Sequence, residues 1–228
     1  MRLPRIDRKN YVDATPALKK MKTVLLPVKD FANAKQRLAA KLDPTVRAGL
    51  ARSMCLDVLN TLTRTRVPNR VVVFTAADEV IQMARPLGFD VVLEKTVDGH
   101  SAAVNHMVSE LQSSSSRILS IASDLPRLVP SEIDFVLDAA TEPITLIPSR
   151  DWTGTNGALF ISPARIVMEY GEGSFRRHLS KAAAAGHRAD VMHLPGVAFD
   201  IDTPEDLDLF LHDPRRDSET WRYLTNHQ

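Results

Sequence analysis

The sequence predicts an α/β fold in which helices cover both faces of a mostly parallel sheet. Segments typical of strands and of amphipathic helices alternate between residues 23 and 147. The strand segments are continuously apolar instead of alternating apolar with polar residues, which is typical of strands buried on both faces. The chain of 228 residues is long enough for one large domain or two small ones.

The predicted strands are short apolar runs, several of them rich in valine. The first contains Pro27 near its end, and the last precedes an acidic segment. We predict strands at 23–28, 70–74, 90–93, 117–122, 144–147, 157–161, 191–194 and 197–201.

The predicted helices begin at capping residues and carry apolar stripes. Asp43 and Pro44 are typical of a helix start, and the stripe that follows extends to Leu62. Cys55, the only cysteine, lies in this stripe, so we expect a packed thiol and no internal disulfide. Gly88 ends the second helix. We predict helices at 44–62, 77–87, 99–111, 130–140 and 174–185.

Composition and charge exclude several classes of protein. A net charge of +1 gives no global field that would recruit nucleic acid or a membrane, and no apolar run is long enough to span a bilayer. The basic, polar residues 1–20 lack the hydrophobic stretch of a secretory signal, so we expect a flexible N-terminal extension and a cytoplasmic protein. We expect a single domain over 21–212 and a C-terminal tail, or a peripheral helix, over 213–228.

Two aspartates close together form the most informative segment. Asp200 and Asp202 lie at the end of the predicted strand 197–201, so their carboxylates are expected on one face. Two such charges repel unless a cation lies between them, and Mg²⁺ suits oxygen ligands of this kind. Thr203 and Asp206 form a predicted capping box, so a solvated loop with a helix cap is the alternative.

Ligands of open α/β sheets bind at the carboxyl ends of strands, and two loops there carry charged residues. The loop after the first strand contains Lys29, Lys35 and Arg37, which predicts either a polyphosphate site or a basic surface turn. It lacks the glycines of a P-loop and of a dinucleotide-binding loop. Asp124 follows another strand and could share a divalent metal with the aspartate pair, although a lone aspartate there is usually a turn residue.

Two further loops are rich in glycine and hydroxyl groups. Residues 150–157 precede a strand, and residues 170–178 open a helix with Ser174 as its predicted N-cap, which suits an anion. A solvated basic face is expected for Arg177 and His178. No metal-ligand spacing is found for four other histidines: His100, His106, His187 and His193. We expect each of them at the surface or among the residues that support the ligand-contacting ones.

Taken in order, these loops resemble one family. Pro-Val-Lys, Ala-Lys-x-Arg-Leu, Ser-Asp-Leu-Pro, Thr-Gly-Thr-Asn, Gly-x-Gly-Ser-Phe and Asp-Ile-Asp-Thr-Pro-Glu-Asp-Leu, between about Met21 and Leu211, resemble the CofC/FbiD guanylyltransferases of coenzyme F(420) biosynthesis. The resemblance implies a Rossmann-like three-layer αβα nucleotidyltransferase fold, similar to molybdopterin guanylyltransferases. It implies a Mg²⁺-dependent enzyme that transfers GMP from GTP to a phospho-carboxylic acid and releases pyrophosphate. The acceptor could be 2-phospho-L-lactate, phosphoenolpyruvate or 3-phospho-D-glycerate.

The resemblance also implies roles for individual residues. Mg²⁺ would be held by Asp124, Asp200 and Asp202, which with Lys29 form the catalytic set. The GTP phosphates would contact Lys29, Lys35 and Arg37. The phospho-acid would contact Thr155, Gly171 and Ser174. Family members often have a Leu-Asn pair near the base where this chain has His100 and Ser101, so Ser101 is the candidate contact there. Trp152 replaces a small or polar residue and could reshape the phospho-acid pocket.

Two other functions remain open. A related nucleotidyltransferase with another base or acceptor would usually carry a glycine-rich loop after the first strand, which is absent here. A non-catalytic nucleotide-binding domain would bind GTP without turnover. The presence of all three aspartates and of the basic loop counts against this function. We expect GTP and the phospho-acid as partners and neither nucleic acid nor a membrane. A homodimer is the default assembly, and a labile product could pass directly to the next enzyme.

Overall fold

The computed structural model of the protein describes residues 21–94, 99–213 and 215–227. The expected extension 1–20 lies outside the described residues. Seven strands form one sheet in the order β3-β2-β1-β4-β6-β5-β7. The strands are β1 (Met21–Pro27), β2 (Arg70–Thr75), β3 (Asp90–Leu93), β4 (Ser115–Ile121), β5 (Ile144–Pro148), β6 (Thr155–Ile161) and β7 (Ala189–Val191).

The sheet is parallel except at β6, which runs antiparallel to both of its neighbours, β4 and β5. The other neighbouring pairs are parallel. The mostly parallel α/β fold is therefore confirmed. The helices are α1 (Pro44–Leu62), α2 (Asp78–Ala84), α3 (His100–Leu111), α4 (Pro130–Ala139), α5 (Ser174–Ala184), α6 (Pro195–Ala198), α7 (Pro204–Leu211) and α8 (Glu219–Thr225).

Two hydrophobic cores lie on opposite faces of the sheet. Alternate residues of β1 point to opposite faces, so Val24 and Leu26 belong to one core and Leu25 to the other. The first core contains the apolar faces of α1, α2 and α4. The second contains those of α3 and α5. This arrangement produces the predicted three layers, and Cys55 is a fully buried thiol of the first core, as expected.

Local capping fixes two of the helix starts that the sequence predicted. The Asp43 carboxylate accepts a hydrogen bond from the backbone N–H of Val46 at the start of α1. Thr203 and Asp206 form a complete capping box at the start of α7. The capping box orients the segment immediately before α7, which contains the aspartate pair.

The strand predicted at 197–201 was wrong. Its first residues end the short helix α6, whose first position is Pro195, and the remaining residues pass outside the sheet. The run is apolar because Val197 is buried in the first core and because Phe199 and Ile201 are buried in a further cluster with residues of α1, α7 and α8. The strand predicted at 191–194 was also misplaced, since β7 ends at Val191.

The C-terminal helix α8 packs against α1. The Asp57 carboxylate on α1 accepts hydrogen bonds from the backbone N–H groups of Glu219 and Thr220, at 2.8 and 2.9 Å. The Tyr223 ring covers Gly49, where an added Cβ would lie 2.0 Å from the phenol oxygen. Within the described residues, no helix combines the length and the hydrophobicity needed to span a membrane.

Candidate functional site

A cavity of about 910 Å³ opens at the carboxyl ends of the parallel strands. It is surrounded by the loops after β1, β4 and β5, by the start of α5, and by the segment between α6 and α7. Of the residues predicted for the site, those that line the cavity are Lys29, Arg37, Asp124, Thr155, Gly171, Ser174, Asp200 and Asp202. Lys35 and Ser101 do not line it but contact residues that do.

Three carboxylates converge at one side of this cavity. Asp124 follows β4, and Asp200 and Asp202 lie between α6 and α7. Each offers one carboxylate oxygen, and the three oxygens lie within 4.8 Å of one another. A group of oxygen ligands this close is suited to a divalent cation, so the donor set fits a metal of that class.

Lys35 lies between two of these carboxylates. Its Nζ is 2.5 Å from Asp124 Oδ2 and 2.7 Å from Asp202 Oδ1, and only 5% of its side chain is exposed. Burial alone would lower the pKa of Lys35, but the two carboxylates outweigh burial and raise it. The Arg37 guanidinium contacts the other oxygen of Asp202. The basic loop is therefore tied directly to the acidic cluster.

The backbone of the basic loop explains how Lys35 reaches this position. Lys35 adopts the left-handed conformation, with φ of 54°, immediately before a turn of 3₁₀ helix over Gln36–Leu38. Leu38 ends that turn and is fully buried against α1 and α7. The turn is therefore anchored, and the bend at Lys35 directs the side chain towards the aspartates.

The surroundings of Asp200 favour its protonated form. Burial, together with the negative charges of Asp124 and Asp202, raises the pKa of Asp200 to about 7. Within the described residues, its one hydrogen bond comes from the Asn156 amide nitrogen, at 3.2 Å. The same amide donates to the carbonyl of Val197 at 3.1 Å. Asn156, which the sequence analysis did not single out, thereby joins β6 to the aspartate segment.

Arg150 is a second residue that the sequence analysis missed. It follows β5 and lines the cavity, and its guanidinium lies 2.8 Å from Asp206 Oδ1. Its backbone N–H donates to the carbonyl of Ala198 at 2.7 Å. Arg150 therefore fixes the loop after β5 to both ends of the aspartate segment. Its position two residues after a strand was the available signal.

The cavity is also lined by hydroxyl groups and a helix start. Thr155 is the first residue of β6, Ser174 is the first residue of α5, and Gly171 lies three residues before that helix. The prediction that Ser174 is the N-cap was wrong, because Gly173, with φ of 68°, is the N-cap and Ser174 is the first helical residue. Ser174 is buried, with 1% of its surface exposed.

His178 departs most clearly from expectation. The solvated basic face predicted for it was wrong, since the side chain is fully buried between Thr155 and the backbone of Glu169. Arg177, by contrast, is exposed and donates to the carbonyl of Glu172. The helical period was the one signal in the sequence that separated these adjacent residues, since it points their side chains in different directions.

His100, Ser101 and Trp152 occupy three different environments. His100 lines the cavity with its ring against the edge of Tyr170, and burial together with the charge of Lys29 lowers its pKa to about 4. The Ser101 hydroxyl accepts a hydrogen bond from the backbone N–H of Tyr170 at 3.0 Å. Trp152 stacks on an exposed histidine and is not among the cavity-lining residues.

The whole of this architecture corresponds to a known family. Residues 21–226 match the family model described as "Guanylyl transferase CofC like". The chain belongs to this family. The match extends through α8, so the helix that packs on α1 is part of the CofC-like domain as the family model defines it.

Curated relatives support the same assignment. A phosphoenolpyruvate guanylyltransferase of Conexibacter woesei is 36% identical over 81% of this chain and 84% of its own. A 2-phospho-L-lactate guanylyltransferase of Methanothermobacter thermautotrophicus is 29% identical over 84% of this chain and 86% of its own. The resemblance inferred from the loop motifs is confirmed.

Solved structures share the fold at low sequence identity. A protein of Desulfovibrio desulfuricans described as a nucleotide-diphospho-sugar transferase has a TM-score of 0.71 and 18% identity, over 91% of this chain and 95% of its own. A cytidylyltransferase of Leptospira borgpetersenii has a TM-score of 0.55 and 13% identity, over 83% and 85%. The CofC-like chain therefore has a nucleotidyltransferase fold.

Proposed function

We propose that this CofC-like protein transfers GMP from GTP to a small phospho-carboxylic acid in coenzyme F(420) biosynthesis. The observation that carries the proposal is one cavity lined by two chemically different sets of residues. One set is the three aspartates with Lys29 and Arg37, which suit a metal-bound triphosphate. The other set is the hydroxyl groups and the helix start that suit a small anion.

The proposed metal is Mg²⁺, held by Asp124, Asp200 and Asp202. These residues offer the hard oxygen ligands that Mg²⁺ prefers, and Asp200 lies beside two like charges that a cation would relieve. When bound, the metal supplies neutralisation of phosphate charge in the transition state. Lys35 holds Asp124 and Asp202 at a fixed separation, which keeps two of the three ligands in register.

The chemical step needs positioning more than proton transfer. An oxygen of the acceptor phosphate forms a bond to the α-phosphorus of GTP, and the bond from that phosphorus to the β-phosphate oxygen breaks, releasing pyrophosphate. The attacking phosphate is already ionised near neutral pH, so no general base is required. Lys29 and Arg37 would stabilise the charge that develops on the triphosphate.

The remaining assignments follow from position in the cavity. Lys35 would act on the nucleotide through the aspartates that it contacts, and Ser101 through Tyr170, whose backbone N–H donates to the Ser101 hydroxyl. The phospho-acid would contact Thr155, Gly171 and Ser174. The two relatives described above are named for phospho-carboxylate acceptors, phosphoenolpyruvate and 2-phospho-L-lactate. Phosphoenolpyruvate is tested first because the relative named for it has the higher sequence identity.

The decisive experiment is a pyrophosphate-release assay. The protein is incubated with Mg²⁺, GTP and, in separate reactions, phosphoenolpyruvate, 2-phospho-L-lactate and 3-phospho-D-glycerate. Release with at least one acid is expected, and parallel reactions with CTP and ATP should be much slower. Folded protein that releases no pyrophosphate with any acid contradicts the proposal. Tight GTP binding without release would instead favour a non-catalytic nucleotide-binding domain.

Three properties of the whole protein belong to the same proposal. The enzyme is cytoplasmic, forms a homodimer, and passes a labile product directly to the next enzyme of the pathway. Light scattering coupled to size exclusion tests the dimer, because a monomer at assay concentration would contradict it.

Direct transfer of the product is tested by adding an enzyme that destroys free product, which should leave the coupled pathway rate unchanged.

A further inference from the structure

A chain of two hydrogen bonds ends at Thr155, one of the residues that line the cavity. The backbone N–H of Glu169 donates to Nε2 of His178 at 2.8 Å. Nδ1 of the same ring lies 2.9 Å from the hydroxyl oxygen of Thr155. His178 is fully buried on α5, whereas Thr155 begins β6 and lines the cavity. The histidine therefore connects a buried backbone group to a cavity-lining hydroxyl.

The direction of each hydrogen bond is determined by chemistry. A backbone N–H can only donate, so Nε2 of His178 must accept and carries no proton. The proton of the neutral ring is then on Nδ1, which donates to Thr155. Burial, reinforced by the charges of Lys181 and Arg177, lowers the pKa of His178 to about 4, so the ring is neutral at physiological pH.

This arrangement constrains the Thr155 hydroxyl. Its oxygen accepts from His178, so its own proton must point elsewhere. Over the described ranges 21–94, 99–213 and 215–227, no protein acceptor is recorded for that proton. Thr155 lines the cavity, where the proton can reach a ligand. Because one lone pair of the hydroxyl oxygen accepts from His178, the hydroxyl proton is directed away from the ring and is available to a ligand.

We propose that His178 is a positioning residue that makes the Thr155 hydroxyl a fixed hydrogen-bond donor to the acceptor substrate. Such a donor suits an oxygen that only accepts, namely that of an ionised carboxylate or phosphate. The inference rests on the proposed function, because it takes Thr155 to contact the phospho-acid. Since the donor is oriented before the substrate arrives, little ordering is required on binding.

Two amide variants separate the two ends of the histidine. In His178→Asn the amide nitrogen lies near the position of Nδ1 and can still donate to Thr155. In His178→Gln the amide reaches the position of Nε2 and can accept from Glu169, but Thr155 loses its donor. With phosphoenolpyruvate as the probe, KM should rise about tenfold in His178→Gln and remain within about threefold in His178→Asn, as expected for one hydrogen bond to a charged ligand. KM for GTP and kcat should change little, because the interaction is made before and during the reaction.

A double-mutant cycle distinguishes positioning from general support of the fold. Thr155→Val removes the hydroxyl and should raise KM for phosphoenolpyruvate about tenfold. Thr155→Ser keeps the hydroxyl and should have a KM close to that of the wild type. Adding His178→Gln to Thr155→Val should cause no further rise, since the residue through which His178 acts is already absent. His106→Gln, at an exposed histidine of α3, is the matched control and should match the wild type.

The possible outcomes are distinct. Equal KM values in His178→Gln and His178→Asn, or additive effects in the cycle, would overturn the role of His178 while leaving the proposed function intact. Wild-type protein that neither binds nor guanylylates any of the three acids would overturn both. If His178→Gln fails to fold in a thermal melt, the comparison of Thr155→Ser with Thr155→Val and of His178→Asn with wild type decides. A large rise in the KM for phosphoenolpyruvate in His178→Asn that is also seen when Thr155→Val is present would contradict the inference.

Discussion

Lys35 is the residue at which the basic loop and the acidic cluster meet. Its ammonium group bridges Asp124 and Asp202, two of the three proposed metal ligands. A bound divalent cation would have to share these carboxylates with a lysine that is almost completely buried. Lys35 therefore both organises the ligands and reduces the negative charge available to a metal.

From this double role we predict that Lys35→Met binds Mn²⁺ alone about tenfold more tightly than the wild type. Removing one positive charge from beside the carboxylates strengthens their attraction for a divalent cation. Titration of Mn²⁺ followed by electron paramagnetic resonance measures the affinity without any substrate. Lys41→Met, at an exposed lysine paired with Asp208, is the control and should leave the affinity unchanged. Weaker Mn²⁺ binding in Lys35→Met would show that organisation outweighs charge.

A second prediction at this scale concerns Asp200 and Asp202. Asp200→Asn or Asp202→Asn should lower the rate of pyrophosphate release by at least about a hundredfold, since each removes a charged ligand at the reacting phosphates. The melting temperature of Asp200→Asn should stay close to that of the wild type, because its side chain lines the cavity, whereas Asp202→Asn should lower it, because Lys35 and Arg37 lose a charged partner. Asp208→Asn, on the exposed side of α7, is the control. Retained activity in both variants would refute the metal assignment.

At the scale of elements, the sequence predicted a helix correctly where a polar capping residue marks its start, and it failed at a buried segment that was taken for a strand. Residues 44–62 were predicted correctly because Asp43 and Pro44 define the helix start. The run 197–201 was taken for a strand because continuous burial produces the same apolar pattern in a strand and in a packed loop. The backbone is nevertheless extended at Phe199, so Asp200 and Asp202 still reach the cavity.

Element packing also yields a stability prediction for α8. The Asp57 carboxylate accepts two backbone N–H groups at the start of this helix and the Thr220 hydroxyl, at 2.6 Å. Asp57→Ala leaves these donors without their partner and should lower the free energy of unfolding by about 1 to 2 kcal/mol. Urea unfolding measures the change, and Glu110→Ala, at an exposed residue of α3, provides the control. An unchanged midpoint would mean that the hydrogen bonds of Asp57 to the start of α8 contribute nothing to the stability of the domain.

At the scale of the whole molecule, the fold explains why so many site residues could be named from separate loops. Parallel strands bring their carboxyl ends to one edge, so Lys29, Asp124 and the loop after β5 had to approach each other. Asn156 and His178 were missed for the opposite reason. Each acts through a partner on another element, and such contacts depend on the register of β6 and the rotation of α5, which no local motif encodes.

Two histidines, the buried His178 and the partly buried His100, make the stability of the whole molecule depend on pH. The pKa of His178 is about 4 in the folded protein and about 6.5 in an unfolded chain. Between these values the unfolded chain binds the extra proton, so stability rises with pH up to about 6.5 and falls as the pH drops towards 4. His100 acts in the same direction.

We therefore expect His178→Gln to lose less stability than the wild type between pH 7.5 and pH 5. The difference should be about 2 kcal/mol, because at pH 5 the unfolded histidine is protonated and the folded one is not. Urea unfolding at the two pH values measures it, and His106→Gln, which changes an exposed histidine, should keep the full wild-type dependence. Identical pH dependence in His178→Gln and the wild type would show that the folded protein takes up a proton on His178 by pH 5. The protonated ring carries a hydrogen on Nε2 and could not accept from Glu169 at that pH, so the measurement also tests whether the hydrogen bond from Glu169 keeps the ring neutral.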